Sequence, residues 1–308
     1  MSLIFEQSVP GRRGPRLPES NVPTQAHLPE KYLRAQPADL PEVSEPEAIR
    51  HFTLLSQRNF AVDRNFYPLG SCTMKYNPKV CEEIARLDGF SALHPLLAQL
   101  RGGDLLTQGA LQVIYETERL LSEITGMAEF TMQPMAGAHG ELTGVMLIAS
   151  YHRKRGNRKT KVIIPDSAHG TNPASAAIAG YAVVSVPSDR NGLMDMNEFE
   201  RVLDSEVAAV MLTCPNTLGL FNPNLRTMAE RVHAVGGLMY CDGANLNAIL
   251  GKCRPGDIGF DVVHVNLHKT FGTPHGGGGP GAGPVGVSEQ LRDFLPISLV
   301  VKRNDGTF

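Results

Sequence analysis

The feature that most limits the possible folds is an alternation of short apolar segments with helical segments from residue 161 onward. Strands are predicted at 161–165, 181–186, 207–213, 238–241 and 262–267, and helices at 173–179, 196–203 and 225–235. This order favours a mostly parallel sheet with helices on both faces. Ligands of such sheets bind outside the carboxyl ends of the strands. We therefore predict an α/β fold with its functional site at that edge.

Polar residues follow four of the predicted strands, where each strand ends. They are residues 166–172, which include His169, residues 213–217, which begin with Thr213, and the single residues Asp242 and Lys269. Because the carboxyl ends of parallel strands meet at one edge of a sheet, we expect these side chains to converge.

Lys269 follows an apolar run in which Val263, Val265 and Leu267 alternate as in a strand. A lysine at the end of a buried strand is unfavourable unless it is paired or chemically used. When desolvated it can lose its proton and become an amine nucleophile, as Schiff-base chemistry requires. The alternative is a solvated lysine at a strand end.

Asp242 ends another apolar strand, 27 positions before Lys269. A pyridoxal 5′-phosphate (PLP) enzyme needs a lysine for the cofactor aldehyde and an acid that keeps the ring nitrogen protonated. Alone, Asp242 could equally be a turn or helix-capping aspartate. The lysine and the acid in this order indicate PLP more specifically than either does alone.

The segment before the alternation predicts a helix at 105–127 with Gly126 as its stop, a strand at 128–132 and a second helix at about 142–151. The turn before that second helix contains Ala136-Gly137-Ala138. Small residues there allow backbone N–H groups at a helix start to approach a phosphate. A plain strand-to-helix turn is the alternative, because a single glycine-rich turn is weak evidence.

Three further candidates lie in an aperiodic loop at 62–78, namely Ser71, Cys72 and Lys75. His169 could stack on a cofactor ring and move a proton, or it could be a structural histidine. The ten histidines show no ligand spacing typical of a metal site, so no metal is predicted.

Composition narrows the function classes further. The chain has 29 basic and 31 acidic residues, which gives no electrostatic reason to expect nucleic-acid or membrane binding. No apolar run approaches the roughly 20 residues that span a bilayer. Five cysteines without a metal-type spacing suggest reduced thiols and a cytoplasmic location.

Four regions are predicted along the 308 residues. Residues 1–48 are rich in proline and charge and suggest an extended N-terminal arm, with a disordered tail as the alternative. Residues 49–104 suggest a segment of helices and loops. The large cofactor-binding α/β domain is expected at 105–295, and 296–308 would begin a C-terminal region.

Four motifs resemble the P-protein family of the glycine cleavage system, and most closely the second (beta) subunit of its split bacterial form. The resemblance runs from about residue 50 to the end. The motifs are residues 167–173 (SAHGTNP), 240–245 (YCDGAN), 268–271 (HKTF) and 273–281 (TPHGGGGPG).

The resemblance implies a fold type I, aspartate aminotransferase-like PLP enzyme. It implies that Lys269 holds the cofactor aldehyde, that Asp242 pairs with the ring nitrogen, and that His169 and Ala244 cover the two ring faces. The turn Ala136-Gly137-Ala138 would hold the phosphate. Thr213 and His268 would contact the phosphate or the ring oxygen.

The activity implied is glycine decarboxylation with transfer of the aminomethyl group to the lipoyl arm of H-protein, as in glycine dehydrogenase. The implied assembly is a heterotetramer with an alpha subunit. The glycine-rich loop at 272–286 could line a channel for the lipoyl arm, or it could be a plain connector. Another fold type I enzyme, such as an amino acid decarboxylase or a desulfurase-like protein, and an inactive fragment are the alternatives.

The chain departs from the fold type I pattern after the lysine. Such chains continue into a small C-terminal domain, whereas 39 residues follow Lys269 here. From the sequence we therefore expect that domain to be missing, together with its contacts to the substrate carboxylate.

Overall fold

The structure is a computed structural model that describes residues 2–19, 21, 29–65, 67–68, 73–94, 96–273 and 281–308. The chain divides into two compact units, Met1–Tyr67 and Pro68–Phe308. No helix among the described residues is both long and apolar enough to cross a membrane.

The first unit contains one α-helix among its described residues, α1 (Glu45–Ser56), and 3₁₀ turns at Ile4–Gln7 and Glu30–Tyr32. The start of α1 is set by a capping box, in which the backbone N–H of Ser44 donates to Glu47 at 2.8 Å. Glu47 also pairs with Arg12, which ties the extended N-terminal part of this unit to the helix.

The strands are short and most belong to one sheet. Two lie early in the chain, β1 (Tyr67–Pro68) and β2 (Thr73–Met74). The others are β3 (Glu129–Thr131), β4 (Lys161–Pro165), β5 (Ala182–Val186), β6 (Val207–Thr213), β7 (Leu238–Gly243), β8 (Val262–Val265) and β9 (Val285–Val287).

In the described part of the second unit, seven strands form a sheet in the order β3-β9-β8-β7-β6-β4-β5. The run from β8 to β5 is parallel, and β9 is antiparallel to both β3 and β8. The predicted mostly parallel α/β sheet is therefore confirmed.

Helices cover both faces of this sheet. Those of the second unit are α2 (Lys79–Ala85), α3 (Asp88–Ser91), α4 (Gln108–Thr125), α5 (Gly137–Lys154), α6 (Thr171–Ile178), α7 (Met196–Val202), α8 (Leu225–Ala234), α9 (Pro255–Ile258) and α10 (Leu267–Thr270). Further 3₁₀ turns lie at Leu97–Gln99, Asp104–Leu106, Leu246–Ala248 and Glu289–Phe294. Helices α5 and α6 contribute to the core on one face, and α4, α7 and α8 to the core on the other.

The alternation within β7 shows how the strand separates these two cores. Leu238 and Tyr240 face α5, whereas Met239 and Cys241 face the other core. By the same period of two, Asp242 follows Tyr240 on the α5 side. The strand thus carries a buried carboxylate to its carboxyl end.

Most predicted elements differ from the structure by one to three residues at an end, and three differ in kind or by more. The helix predicted from about residue 142 begins five residues earlier at Gly137, because its small residues enter the helix instead of forming a separate turn. The strand predicted at 262–267 ends at Val265, and Leu267 begins the short helix that carries Lys269. The predicted loop at 272–286 ends in β9, which pairs with β3 and β8; residues 274–280 lie outside the described part.

Candidate active site

A cavity of about 760 Å³ lies at the carboxyl ends of β6, β7 and β8. Nine of the twelve site candidates predicted from the sequence line it: Ala136, Gly137, Ala138, His169, Thr213, Asp242, Ala244, His268 and Lys269. They come from segments more than a hundred residues apart, so the fold brings them to one place as the parallel topology predicted. The roles given to them individually are taken up below.

Asp242 is 3% exposed and sits at the base of this cavity. One carboxylate oxygen accepts a hydrogen bond from the Asn172 side chain at 3.1 Å, and the other accepts one from the backbone N–H of Ala244 at 3.1 Å. These donors orient the carboxylate and compensate part of its burial.

His264 lies beside Asp242 on the neighbouring strand, in register with it. Its Nε2 is 3.3 Å from an oxygen of Asp242, without the geometry of a hydrogen bond. Its Nδ1 is 2.9 Å from the hydroxyl of Tyr240, which is fully buried. Burial lowers the pKa of His264, and the charge of Asp242 opposes this effect.

Glu141, from the first turns of α5, completes a buried group with these two residues. Its carboxyl is 4% exposed, and one ligand atom from each of Glu141, Asp242 and His264 lies within 4.8 Å of the others. Burial, the charge of Asp242 and a hydrogen bond with Asp242 raise the pKa of Glu141 to about 8, and the charge of Lys269 works in the opposite direction.

Lys269 is 7% exposed and lies in α10, immediately after β8. Side chains from elsewhere hold the backbone of this short helix. Asn247 donates to the carbonyl of Lys269 at 3.1 Å and accepts from the hydroxyl of Thr270 at 2.8 Å. The Nζ of Lys75 donates to the carbonyl of His268 at 2.6 Å. Lys75 therefore supports the lysine-bearing helix, while the other loop candidates, Ser71 and Cys72, lie outside the described residues.

The first residues of α5 form the opposite wall of the cavity. Ala136 is the cap residue, and the helix starts at Gly137 without a side-chain cap, so its first N–H groups are available to a ligand. A Cβ on Gly137 would come within 2.5 Å of the Asn266 side chain, and one on Gly283 would collide with the carbonyl of Ala136. Glycine is thus required at both positions for this close approach.

The remaining predicted residues surround these groups. His169 is exposed in the loop after β4, and its Nδ1 accepts from the backbone N–H of Thr171 at 3.3 Å. Ala244 is half-buried just beyond Asp242, Thr213 is half-buried at the end of β6, and His268 is buried.

The side chains present fit PLP. The cavity offers a buried amine, a buried carboxylate and the start of an 18-residue helix whose first residues are small. Among the described residues, five buried polar atoms around it lack a hydrogen-bond partner: Glu141 Oε2, Asn172 Oδ1, Thr213 Oγ1, His264 Nε2 and Asn266 Oδ1. Buried polar atoms are rarely left without partners, so their concentration here indicates a site prepared for a polar ligand.

Several residues of the site were missed by sequence reasoning, notably Glu141, Asn172, Tyr240, His264 and Asn266. One signal was present, because His264 is a polar residue in the middle of an apolar strand. Glu141 carried a weaker signal, four positions after Gly137 and therefore on the same helix face. Nothing in the sequence pairs Asn172 with Asp242, since 70 residues separate them.

Comparisons with known proteins agree with this site. The sequence profile of the glycine cleavage system P-protein family matches residues 16–307. A curated relative from Listeria innocua, named probable glycine dehydrogenase (decarboxylating) subunit 2, is 59% identical over 99% of this chain and 62% of its own length. A relative of the same name from Bacillus licheniformis is 58% identical over 100% of this chain and 63% of its own. The chain thus spans somewhat less than two thirds of the length of these relatives.

Solved structures give the same fold. A crystal structure of glycine decarboxylase (P-protein) in inhibitor-bound form has a TM-score of 0.70 and 24% identity, covering 91% of this chain and 61% of that one. An aromatic aminotransferase from Pyrococcus horikoshii has a TM-score of 0.52 and 16% identity, covering 71% and 58%.

Fold and site together define the class of fold type I PLP-dependent enzymes, with PLP as the cofactor. Within that class, the profile match and the curated relatives show that the chain belongs to the glycine cleavage system P-protein family.

Proposed function

We propose that this chain is the cofactor-carrying part of a glycine dehydrogenase (decarboxylating), equivalent to subunit 2 of the split form. In this proposal it binds PLP, decarboxylates glycine and transfers the aminomethyl group to the lipoyl arm of H-protein. The family membership and the names of the curated relatives support this activity.

One observation carries the proposal: Lys269 and Asp242 line the same cavity, although they lie on different elements. PLP needs an amine and an acid at opposite parts of one pyridine ring. If the two side chains pointed into separate regions, they could not bind the same pyridine ring. Both are buried, so the cavity can also keep the reacting groups away from water.

Each remaining wall residue has a role in this proposal. The N–H groups of Gly137 and Ala138, at the positive end of α5, bind the phosphate, and Ala136 shapes the approach. His169 stacks on one face of the ring and Ala244 covers the other. Thr213 and His268 contact the phosphate or the ring oxygen, and the Thr213 hydroxyl, which has no hydrogen-bond partner among the described residues, supports this assignment.

When bound, PLP supplies an electron sink for the negative charge left on the glycine α-carbon as carbon dioxide departs. Asp242 would hold the proton on the ring nitrogen of bound PLP, and Lys269 Nζ would hold its aldehyde. The bond from the α-carbon to the carboxylate breaks and its electron pair stays on that carbon. The carbon then bonds to one lipoyl sulfur while the disulfide breaks, so the glycine carbon is oxidised and the disulfide is reduced.

The proposal includes partners and a location. The protein partners are an alpha subunit and lipoylated H-protein, and the assembly is a heterotetramer. The names of the curated relatives, which call those proteins subunit 2, support an alpha partner. A cytoplasmic location is supported by the described cysteines, 81, 214, 241 and 253, which are all free thiols.

The proposed domain division follows the site. Residues 105–295 form the cofactor-binding domain, flanked by an arm at 1–48, a connecting segment at 49–104 and the beginning of a C-terminal region at 296–308. The described residues that line the cavity all fall between Ala136 and Lys269, which supports the limits of the large domain.

The first test is chemical. The protein is loaded with PLP, reduced with borohydride and digested, and the labelled peptide is identified by mass spectrometry. We expect the label on Lys269 and none in Lys269→Ala, whereas the exposed control Lys252→Ala keeps it. Label on another lysine, or on none, would refute the cofactor assignment for this chain.

The second test concerns the substrate. PLP-loaded protein is mixed with a panel of amino acids, with and without an alpha partner and H-protein, and the cofactor spectrum and carbon dioxide exchange are followed. Glycine should give the largest response, and exchange should require H-protein. A stronger response to another amino acid would instead favour a different fold type I enzyme.

A further inference from the structure

Glu141 is a buried carboxyl group in the cavity that the proposed function leaves without a role. It lies on α5, one turn after the proposed phosphate-binding residue Gly137, and 96% of it is shielded from solvent. An ionised carboxylate is strongly disfavoured in such a place unless it is paired and hydrogen-bonded. Its Oε2 has no hydrogen-bond partner among the described residues.

The groups facing Glu141 come from three elements. Asp242 and Tyr240 come from β7, His264 from β8 and Lys269 from α10. The hydroxyl of Tyr240 donates to the backbone carbonyl of Glu141 at 3.3 Å and leaves the carboxyl untouched. The ionisable neighbour that acts most strongly on Glu141 is a second carboxylate, that of Asp242.

Two carboxylates buried within a few ångströms of each other cannot both be ionised at neutral pH without a large penalty. Asp242 already has two donors, Asn172 and the N–H of Ala244, both of which favour its charged form. No described residue donates a hydrogen bond to Glu141 Oε2. The charge therefore resides on Asp242 and the proton on Glu141.

We propose that Glu141 is a positioning residue that holds one proton against Asp242, so that the pair presents a single negative charge to the ring nitrogen of the cofactor. This proposal rests on the proposed function of the site. Glu141 acts through Asp242 and does not itself touch the ring. Loss of its proton at alkaline pH doubles the negative charge facing the ring nitrogen.

The sign of the pH effect on folding follows from the raised pKa of Glu141. The unfolded side chain titrates near 4.5 and the folded one near 8, so the folded protein holds the proton more tightly. Its stabilising contribution is complete below about pH 4.5 and is lost as the pH rises to about 8.

The experiment begins with unliganded protein, so that its outcome is independent of PLP. Urea midpoints are measured from about pH 5 to about pH 9 for wild type, Glu141→Gln and Glu118→Gln. Glu118 is a matched control, because it is 8% exposed and burial also raises its pKa, but it lies outside the cavity. The urea midpoint of the wild type should fall as the pH rises to about 8. Glu141→Gln should not show this fall, and Glu118→Gln should show it.

The second arm uses pyridoxamine phosphate, which has no aldehyde and so bypasses the amine of Lys269. The ratio of the Kd of Glu141→Gln to that of wild type should be near one at pH 6. It should rise about tenfold at pH 9, where only wild type gains the extra negative charge. The Glu118→Gln ratio should stay near one at both pH values.

Either of two results would overturn the inference: a Glu141→Gln protein whose stability still falls as the pH rises to about 8, or a Kd ratio that does not change with pH. If Glu141→Gln does not fold, Asp242→Asn serves instead. Removing the neighbouring charge should move the wild-type fall toward acid pH. If borohydride labels no Lys269 but wild-type stability still falls as the pH rises to about 8, the proposed function is rejected. The inference that Glu141 and Asp242 share a proton is then unaffected.

Discussion

Two aspartates on neighbouring strands, Asp242 and Asp261, show how this molecule separates function from stability. They are 3% and 4% exposed. Asp242 lies at the carboxyl end of β7, whereas Asp261 lies just before the first residue of β8, at the opposite edge of the sheet. Both are buried carboxylates in the same parallel sheet, and their surroundings differ in kind.

Asp261 is saturated with donors. Its oxygens accept from the backbone N–H of Met239 at 2.8 Å, from His233 Nε2 at 2.7 Å and from the Gln290 side chain at 2.7 Å. A longer bond from the hydroxyl of Ser288, at 3.3 Å, adds a fourth donor. The network joins β7, α8 and the segment after β9, so it holds elements of the fold together.

Asp242 accepts hydrogen bonds from two donors, and several polar atoms around it have no hydrogen-bond partner among the described residues. Glu141, a second acid, lies beside it, and His264 Nε2 and Thr213 Oγ1 remain without partners in the described part of the chain. A fully satisfied polar network stabilises a fold, whereas an incomplete one leaves hydrogen-bonding capacity for a ligand. Burial alone therefore does not identify a functional acid. Hydrogen-bonding atoms without a partner around the acid do.

The sharpest test is the substitution Asp242→Asn. We expect glycine-dependent carbon dioxide exchange to fall about 10³-fold, because the ring nitrogen loses its charged partner. The free energy of unfolding should change by less than about 1 kcal/mol, since a neutral amide costs less to bury than a carboxylate and this offsets the weakened hydrogen bonds. Exchange assays and urea unfolding check the two halves, and near-normal exchange would contradict the assignment.

The same substitution at Asp261 should give the reverse pattern. Asp261→Asn replaces one carboxylate oxygen by an amide donor, so either His233 and the N–H of Met239, or Gln290 and Ser288, lose their acceptor, and we expect a loss of about 3 kcal/mol in unfolding free energy. PLP loading per folded molecule should stay unchanged. If loading fell in proportion to stability at both aspartates, the separation of roles would be wrong.

Gly144→Ala tests the packing near Asp242 and leaves the surroundings of Asp261 unchanged. A Cβ there would collide with the Tyr240 ring and come within 2.9 Å of Val262. We expect a loss of about 2 kcal/mol in thermal or urea unfolding, together with weaker PLP binding, because Tyr240 contacts His264 beside Asp242. The control is Gly109→Ala in α4, which has open space and should be neutral or slightly stabilising.

The smallest expected effect concerns His233. Its hydrogen bond to Asp261 is the main reason that the pKa of His233 is raised, while partial burial opposes this and the charge of Asp261 adds to it. The protonated form contributes stability that is present below about pH 6.5 and lost as pH rises through the higher folded pKa. His233 is 40% exposed, so solvent weakens the contribution.

A urea series at several pH values measures it by comparing wild type with His233→Gln, which keeps a donor but does not titrate. The difference between the two midpoints should shrink as the pH rises through the His233 transition. A difference independent of pH would mean that the bond contributes only as a neutral contact.

Prediction from sequence was strongest where local periodicity decides structure. The strands at 161–165 and 207–213 were predicted with the bounds that the structure has, and Gly126 ends its helix with φ 72°. It was weaker where small residues permit two conformations. The residues at 136–138 fit either a turn or a helix start, and packing of α5 against Asn266 and β9 selects the helix.

The fine structure of the site could not be predicted for a different reason. The nine predicted residues each lie at the end of a strand or in the loop or helix that follows one, where topology alone brings them together. The partners of Asp242 are different, because Asn172, Glu141 and His264 reach it across three elements. Their contacts depend on side-chain directions that no local pattern encodes.

The alternating α/β order, and with it the edge of the sheet at which an amine and an acid meet, can be predicted from the residues alone, because strand periodicity and chain direction are local properties. Which buried acid keeps unsatisfied neighbours depends on how distant segments pack. Asp242 and Asp261 are the same residue in similar apolar surroundings, and the number of donors that reach each one depends on helices, strands and turns packed from distant parts of the chain.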